Sequence, residues 1–170
     1  MTDTNNTAET GHTLSVYVAN KPGVLARIAQ VFSRRGYNID SLVVSPSMDG
    51  RYSRMTITAK GSADGLDQIM RQVGKLVDVL HCTDHSDEEA VVRELAMVKV
   101  MAPADQRAEI LQISEHFGCK TVDLTEASLI MLIEGNCGKV DACVNMLKKF
   151  KIVEIVRTGK VLMARGQEET

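Results

Sequence analysis

Along the chain, apolar positions recur with two alternating periods. Residues 12–19 alternate apolar with polar side chains, which predicts a half-buried strand. Residues 24–35 then place Val24, Leu25, Ile28, Val31 and Phe32 on one face of a helix. Gly36 follows as a helix-ending glycine, after Arg34 and Arg35 where the helix dipole favours cations. A strand at 38–45, a turn through Asp49-Gly50 and a strand at 51–60, with Met55, Ile57 and Ala59 on one side, predict a hairpin. Leu66, Ile69, Met70, Val73 and Leu76 define a second helix, and a last strand begins within 77–80.

That order, β-α-β-β-α-β, is the ferredoxin-like split βαβ unit, and the second half repeats it. Its strands are expected at 95–101, 121–123, 128–134 and from 152 onward, with helices at 105–117, closed by Gly118, and at 139–150. Residues 75–80 and 151–156 match in type, an echo that supports duplication. The expected fold is therefore α+β, two ferredoxin-like domains in tandem. The expected boundaries are a disordered tail at 1–11, a first domain at 12–85, an acidic linker at 86–91, a second domain at 92–166 and a short tail at 167–170. Counting back from Gly36 and Gly118 without gaps sets Gly23 opposite Asp105 and Asn38 opposite Lys120. Only the first half carries a glycine where the helix begins.

Composition narrows the function. The chain has 170 residues, 44% of them hydrophobic, enough for a real core. Three Phe, three Tyr and no Trp leave few rings for base stacking, and a net charge of -2 offers no basic stripe for phosphates, so nucleic acid is not expected as a partner. No apolar run reaches a membrane span, so no membrane is expected either. Cys82, Cys119, Cys137 and Cys143 sit in apolar or helical contexts without framework spacing, which fits reduced thiols in a cytoplasmic protein.

The turn Asn20-Lys21-Pro22-Gly23 then stands out, because a helix start presents unpaired N–H groups to anions and glycine lets an anion approach. Read alone, Pro22-Gly23 serves equally as an ordinary strand-to-helix turn, with Asn20 as a turn or cap residue. A ferredoxin-like sheet ordered 4-1-3-2 leaves its second strand at an edge that needs a partner. Pairing that edge with a second copy would carry Asn38 of one chain toward the Gly23 turn of the other. A small amino acid would then lie across the interface, its carboxylate on the Gly23 and Val24 amides, with Val24, Leu25 and Ile39 either lining its side chain or serving as plain core.

The run "LSVYVANKPGVLARIAQVFSRRGYNIDSLVVSP", with "SRMTI" and "KLVDVL" after it, resembles the ACT domain of the acetolactate synthase (acetohydroxyacid synthase) small regulatory subunit family. In the second half "VREL", "VKV" and "IVEIVRTGKVLMARG" resemble that family's C-terminal domain, so the resemblance spans about residues 12–166. The resemblance implies a non-catalytic chain that activates a separate large subunit and makes it sensitive to valine in branched-chain amino acid biosynthesis. Thiamine diphosphate, Mg²⁺ and FAD belong, by that implication, to the catalytic partner, with no cofactor in this chain. The family's valine-contacting turn maps onto Asn20, Gly23, Val24 and Leu25, and its interface asparagine onto Asn38. A homodimer through the ACT domain is implied as well. Lys21-Pro22 replaces the acidic or Ser-bearing turn common in the family, and the proline should stiffen it.

Other motifs weaken on inspection. His81 and His85 share a strand face but stand about 13 Å apart at ordinary rise, too far for one ion. Residues 135–140 imitate the end of a P-loop, yet its first glycine would fall at Ile133 and Val140 replaces the hydroxyl that coordinates Mg²⁺, so a helix start is expected there. No catalytic residue and no metal ligand is assigned. The alternative function is a free-standing tandem ACT sensor of an amino acid acting on gene expression or another enzyme.

Overall fold

A computed structural model of the chain describes residues 10–86, 90–167 and 169–170. The expected tail at 1–11 therefore lies mostly outside the described residues, as do residues 87–89 of the expected linker at 86–91 and residue 168 of the tail at 167–170. The chain divides into two units, one holding the described residues up to Val91 together with Leu162–Thr170, the other Val92–Val161. The expected second domain, 92–166, extends past Val161 into the segment grouped with the first unit.

The first unit contains β1 (Thr10–Ala19), α1 (Val24–Arg34), β2 (Ile39–Pro46), β3 (Tyr52–Gly61), α2 (Ala63–Val73) and β4 (Val79–Asp84). Its antiparallel sheet has the order β2-β3-β1-β4, so β2 is an edge strand as expected. Alternation along β1 turns Leu14, Val16 and Val18 to one face, where they meet Met55, Ile57 and Ala59 of β3. Val24, Ile28 and Phe32 of α1 and Leu66, Ile69 and Val73 of α2 cover that face. The spacing of those six residues is the helical period read as burial. Each of the larger side chains contributes roughly 1.5–3 kcal/mol by leaving water.

Helix α1 ends as its sequence says. Gly36 has φ 72°, its N–H donates to Ser33 C=O at 3.0 Å, and the Tyr37 N–H donates to Phe32 C=O at 3.0 Å. This Schellman pair satisfies two orphan carbonyls and aims the chain into β2. Tyr37 is then seated against the start of α2: a Cβ on Gly61 would lie 2.0 Å from a Tyr37 ring carbon, and one on Gly65 1.7 Å from the Tyr37 hydroxyl. The glycines make room for the ring that sets where β2 begins.

The second unit repeats the order with β5 (Val91–Met101), α3 (Ala104–His116), β6 (Lys120–Leu124), β7 (Ser128–Gly135), α4 (Cys137–Leu147) and β8 (Ile152–Arg157), and β9 (Val161–Met163) begins at its last residue. Its strands run β6-β7-β5-β8, the same permutation. Helix α3 also closes in a Schellman pair, with Gly118 N–H to Glu115 C=O at 3.0 Å and Cys119 N–H to Ser114 C=O at 2.8 Å. It begins earlier than expected, capped by Pro103, and runs 13 residues against 11 in α1. Ungapped counting from the two glycines therefore misplaces its start by two residues: Asp105 lies in the first turn and does not occupy the cap.

One ion pair ties the ends of this unit's sheet together. Arg157 Nε and Nη2 donate to the two Glu94 oxygens at 2.6 and 2.8 Å, and Arg157 Nη1 donates to Asp141 at 2.7 Å. Glu94 is only 6% exposed, and the guanidinium holds its carboxyl below the usual range despite the opposing effect of burial. Removing the cation strands a buried carboxylate. Arg157→Leu should destabilise the unit by about 2 kcal/mol at neutral pH, less than for a fully buried pair because Arg157 is partly solvated. Because the folded-state pKa of Glu94 is depressed, the pair's contribution is present above the ordinary carboxylate pKa and disappears as pH falls through the folded value. Denaturant unfolding at pH 7 and near pH 3 should accordingly show the difference between variant and wild type shrinking in acid.

Candidate functional site

The link between β1 and α1 is four residues long. Its backbone bonds, Asn20 N–H to Arg51 C=O at 2.9 Å and Lys21 N–H to Ala19 C=O at 2.9 Å, fold it back tightly. The reversal ends in Gly23 at φ 83°, ψ -10°, the left-handed region that side chains rarely adopt. Gly23 caps α1, no side chain caps that helix, and its first turn holds no acid. The Val24 N–H reaches Lys21 C=O at the weak distance of 3.5 Å. Leaving aside its two chain neighbours, nothing stands within 4 Å of where a Gly23 Cβ would be, so the space beside that residue is open.

The other helix starts of the described residues differ, two by a capping side chain and one by a first-turn acid. Ser62 Oγ accepts from Gly65 N–H at 3.3 Å above α2, and Asn136 Oδ1 accepts from Lys139 N–H at 2.8 Å above α4. Residues 135–140 are thus an ordinary capped helix start. At α3, Asp105 places a carboxylate in the first turn, and Arg107 on the same turn donates to Ala102 and Thr125 carbonyls at 3.0 and 3.1 Å. Among the four helices of the described residues, α1 alone combines an uncapped start with an acid-free first turn.

Asp78 organises the charge beside it. Arg27 Nη2 donates to Asp78 Oδ2 at 2.5 Å and Lys21 Nζ to Asp78 Oδ1 at 3.4 Å, while Ala19 N–H donates to the Asp78 carbonyl at 2.8 Å. Two cations are thereby held next to the Gly23 turn. Sequence reasoning missed this trio, because Asp78 is 51 residues from Arg27 and looks like any solvated acid.

The six expected site residues separate into distinct roles. Asn20 does not cap α1: its Nδ2 donates to Gly50 C=O at 2.9 Å and braces the turn against the β2–β3 hairpin. That hairpin turn is itself fixed by Asp49, which accepts from Ser47 Oγ at 2.7 Å and from Arg51, interactions that hold its carboxyl at about 2. The Val24 side chain is 2% exposed and belongs to the core, leaving only its amide for a ligand. Leu25, at 39%, faces solvent beside the turn. Asn38 is exposed at the foot of β2, with its amide only 3.4 Å from Asp40 Oδ1, and Ile39 is half-buried against the core.

Asn38 and Ile39 line an open groove of about 450 Å³ with Ala29, Phe32, Gly36 and Tyr37. It lies at the far end of α1 from Gly23. Eleven residues of helix separate the two by roughly 16 Å. No single amino acid spans that length, so within one chain the structure brings Asn20, Gly23, Val24 and Leu25 together and leaves Asn38 and Ile39 apart. His81 stacks on Tyr17 at 5.4 Å, and among the described residues no group of three or more His, Cys, Asp or Glu converges as a metal site. No helix among those residues is long and apolar enough to cross a membrane.

Comparison with known proteins gives these features a context. Residues 14–81 match the family model described as the AHAS small subunit-like ACT domain, and residues 93–166 match that of the small subunit of acetolactate synthase. The acetolactate synthase small subunit of Mycobacterium bovis is 43% identical over 155 residues, 91% of this chain and 92% of that one. A probable acetolactate synthase small subunit of Archaeoglobus fulgidus is 39% identical over 158 residues, 93% of this chain and 99% of its own. The crystal structure of the acetolactate synthase small subunit from Thermotoga maritima superposes with a TM-score of 0.83 at 38% identity, covering 94% of this chain and 99% of that one. Matched over nearly its whole length in sequence and in fold, the chain belongs to the family of acetolactate synthase small subunits.

Proposed function

We propose that this chain is a non-catalytic regulatory subunit that raises the activity of a separate acetolactate synthase large subunit and makes it sensitive to valine. The observation that carries the reading is the α1 start: open amides at a left-handed glycine, no cap, no first-turn acid, and two cations held close by Asp78. Such a site suits a carboxylate. Thiamine diphosphate, Mg²⁺ and FAD are assigned to the catalytic partner, and the reaction to its active site.

A second copy of this chain completes the effector site. The roughly 16 Å between Gly23 and Asn38 is too long for one amino acid, and β2 offers an unpaired edge beside Asn38. Antiparallel pairing of two β2 strands about a two-fold axis carries Asn38 and Ile39 of each chain toward the Gly23 turn of its mate. The effector carboxylate then rests on the Gly23 and Val24 amides and an Asn38 amide reads its polar end. Leu25 supplies apolar surface at the mouth of the site.

The direct test is pyruvate-to-acetolactate turnover by the matching large subunit, with and without this chain, across a valine titration. Turnover should rise on adding the chain and fall with valine. No response to either would remove the reading, and valine binding by a chain that leaves turnover unchanged would favour a free-standing sensor.

Gly23→Asp should separate activation from inhibition. The new carboxylate takes the amides meant for the effector and repels it, while the cost at φ 83° is about 1–2 kcal/mol. Valine inhibition should weaken at least ~30-fold, the loss expected for hydrogen bonds to a charged group, with activation retained. Gly23→Ala carries the same backbone strain without the charge, so it should lose less. Equal loss in both variants would assign the effect to strain.

Calorimetry on the full chain should show one valine per chain, abolished by Gly23→Asp. The second unit offers Asp105 in the first turn of α3 where the first unit offers open amides. Residual binding of one equivalent in Gly23→Asp would place an effector site in the second unit. Sedimentation should show valine strengthening a dimer, since a ligand bound by two chains favours their association.

A further inference from the structure

The second unit holds a thiol pair that the regulatory reading does not use. Cys119 and Cys143 lie with Sγ atoms 3.7 Å apart, in hydrogen-bond contact, although 24 residues separate them in sequence. Their placement follows from the fold. Cys119 is fixed by the Schellman end of α3, where its N–H donates to Ser114 C=O, and Cys143 sits on the buried face of α4 among Val140, Val144 and Leu147. Cys143 is fully buried, whereas Cys119 is half-buried at the rim of the same core.

From this geometry we propose that Cys119 and Cys143 form a redox-modification site, a dithiol that small-molecule disulfides convert reversibly to an intramolecular disulfide. Closing the bond to its length of about 2.05 Å asks the two sulfur atoms to approach by roughly 1.7 Å, a displacement within reach of side-chain rotation. The bond would tie the α3–β6 link to α4.

The two thiols divide the chemistry. Either sulfur can donate in this contact; with the Cys143 S–H donating, the Cys119 thiol is lowered and that of Cys143 raised, and Lys139 nearby further favours a Cys119 thiolate. Cys119 is also the member that solvent reaches. Its thiolate attacks one sulfur of a disulfide RSSR, forming a mixed disulfide and releasing RS⁻. Cys143 then loses its proton, its sulfur attacks Cys119 Sγ, and the second RS⁻ leaves. Two protein thiols are oxidised, one RSSR is reduced to two RSH, and the two thiol protons end on the departing sulfurs. Cys82 and Cys137 are poor competitors: burial pushes the Cys82 thiol up to about 11, and burial with the neighbouring Glu94 raises Cys137.

The test treats the folded, full-length chain with glutathione disulfide, then alkylates the free thiols and maps them by mass spectrometry. The expected result is loss of two of the four free thiols, a disulfide-linked peptide pair containing Cys119 and Cys143, and full recovery with dithiothreitol. Cys82→Ser combined with Cys137→Ser should leave this linkage intact. Cys143→Ser should stop at a mixed disulfide on Cys119, and Cys119→Ser should keep its remaining thiols. Linkage through Cys82 or Cys137, or formation of the Cys119–Cys143 bond only in urea, would overturn the proposal. So would four free thiols after treatment of the native chain.

Discussion

A four-residue reversal between β1 and α1 constrains much of the first unit. Val18 of β1 and Val24 of α1 must both enter one core, and the chain between them is too short for a gradual turn. It closes by adopting φ 83° at residue 23, a conformation that selects glycine. Glycine has no side chain with which to cap α1, so the constraint that makes the fold compact also leaves the helix amides open. Asn20 cannot supply the cap, since its amide braces the turn against Gly50. The open amides are a direct consequence of a backbone requirement.

The two units use one permutation of strands and differ where their first helices begin. Gly36 and Gly118 close α1 and α3 with the same pair of hydrogen bonds, because ending a helix and turning into an edge strand poses the same problem twice. The starts are free to diverge. At α3 the helix extends two residues further, Pro103 replaces glycine at the cap, Asp105 supplies negative charge, and Arg107 is spent on loop carbonyls. Of these changes Asp105 bears most directly on an anion, because its carboxylate would repel one from a start that no side chain caps.

Local physics was legible in the sequence. Strand alternation, the i, i+3, i+4 stripes of α1 and α2, the helix-ending glycines and the Asp49-Gly50 hairpin all depend on residues close along the chain, and they appear where expected. Gly23 as a special backbone position was readable for the same reason. Long-range partners were not: nothing local tells Asp78 to hold Lys21 and Arg27, Glu94 to meet Arg157, or Cys119 to meet Cys143. The start of α3 was misread because glycine marks a helix end sharply, whereas helix length is set by packing. Val24 illustrates a different limit, since one residue gives its side chain to the core and its amide to the open surface.

The separation along α1 bears on how an effector signal would leave this protein. The amides at one end of the helix and Asn38 at the other are held rigidly apart by a helix whose Ile28 and Phe32 are locked in the core. A ligand that needs both ends cannot bring them together by bending one chain, because shortening the helix would break its core contacts. It can only favour an arrangement in which two chains supply one end each. Under the proposed pairing, binding free energy would become association free energy, and β2, the edge strand that Asn38 immediately precedes, would be the element that transmits it. On this view the rigidity of α1 is what makes a small molecule able to act on the geometry of an assembly.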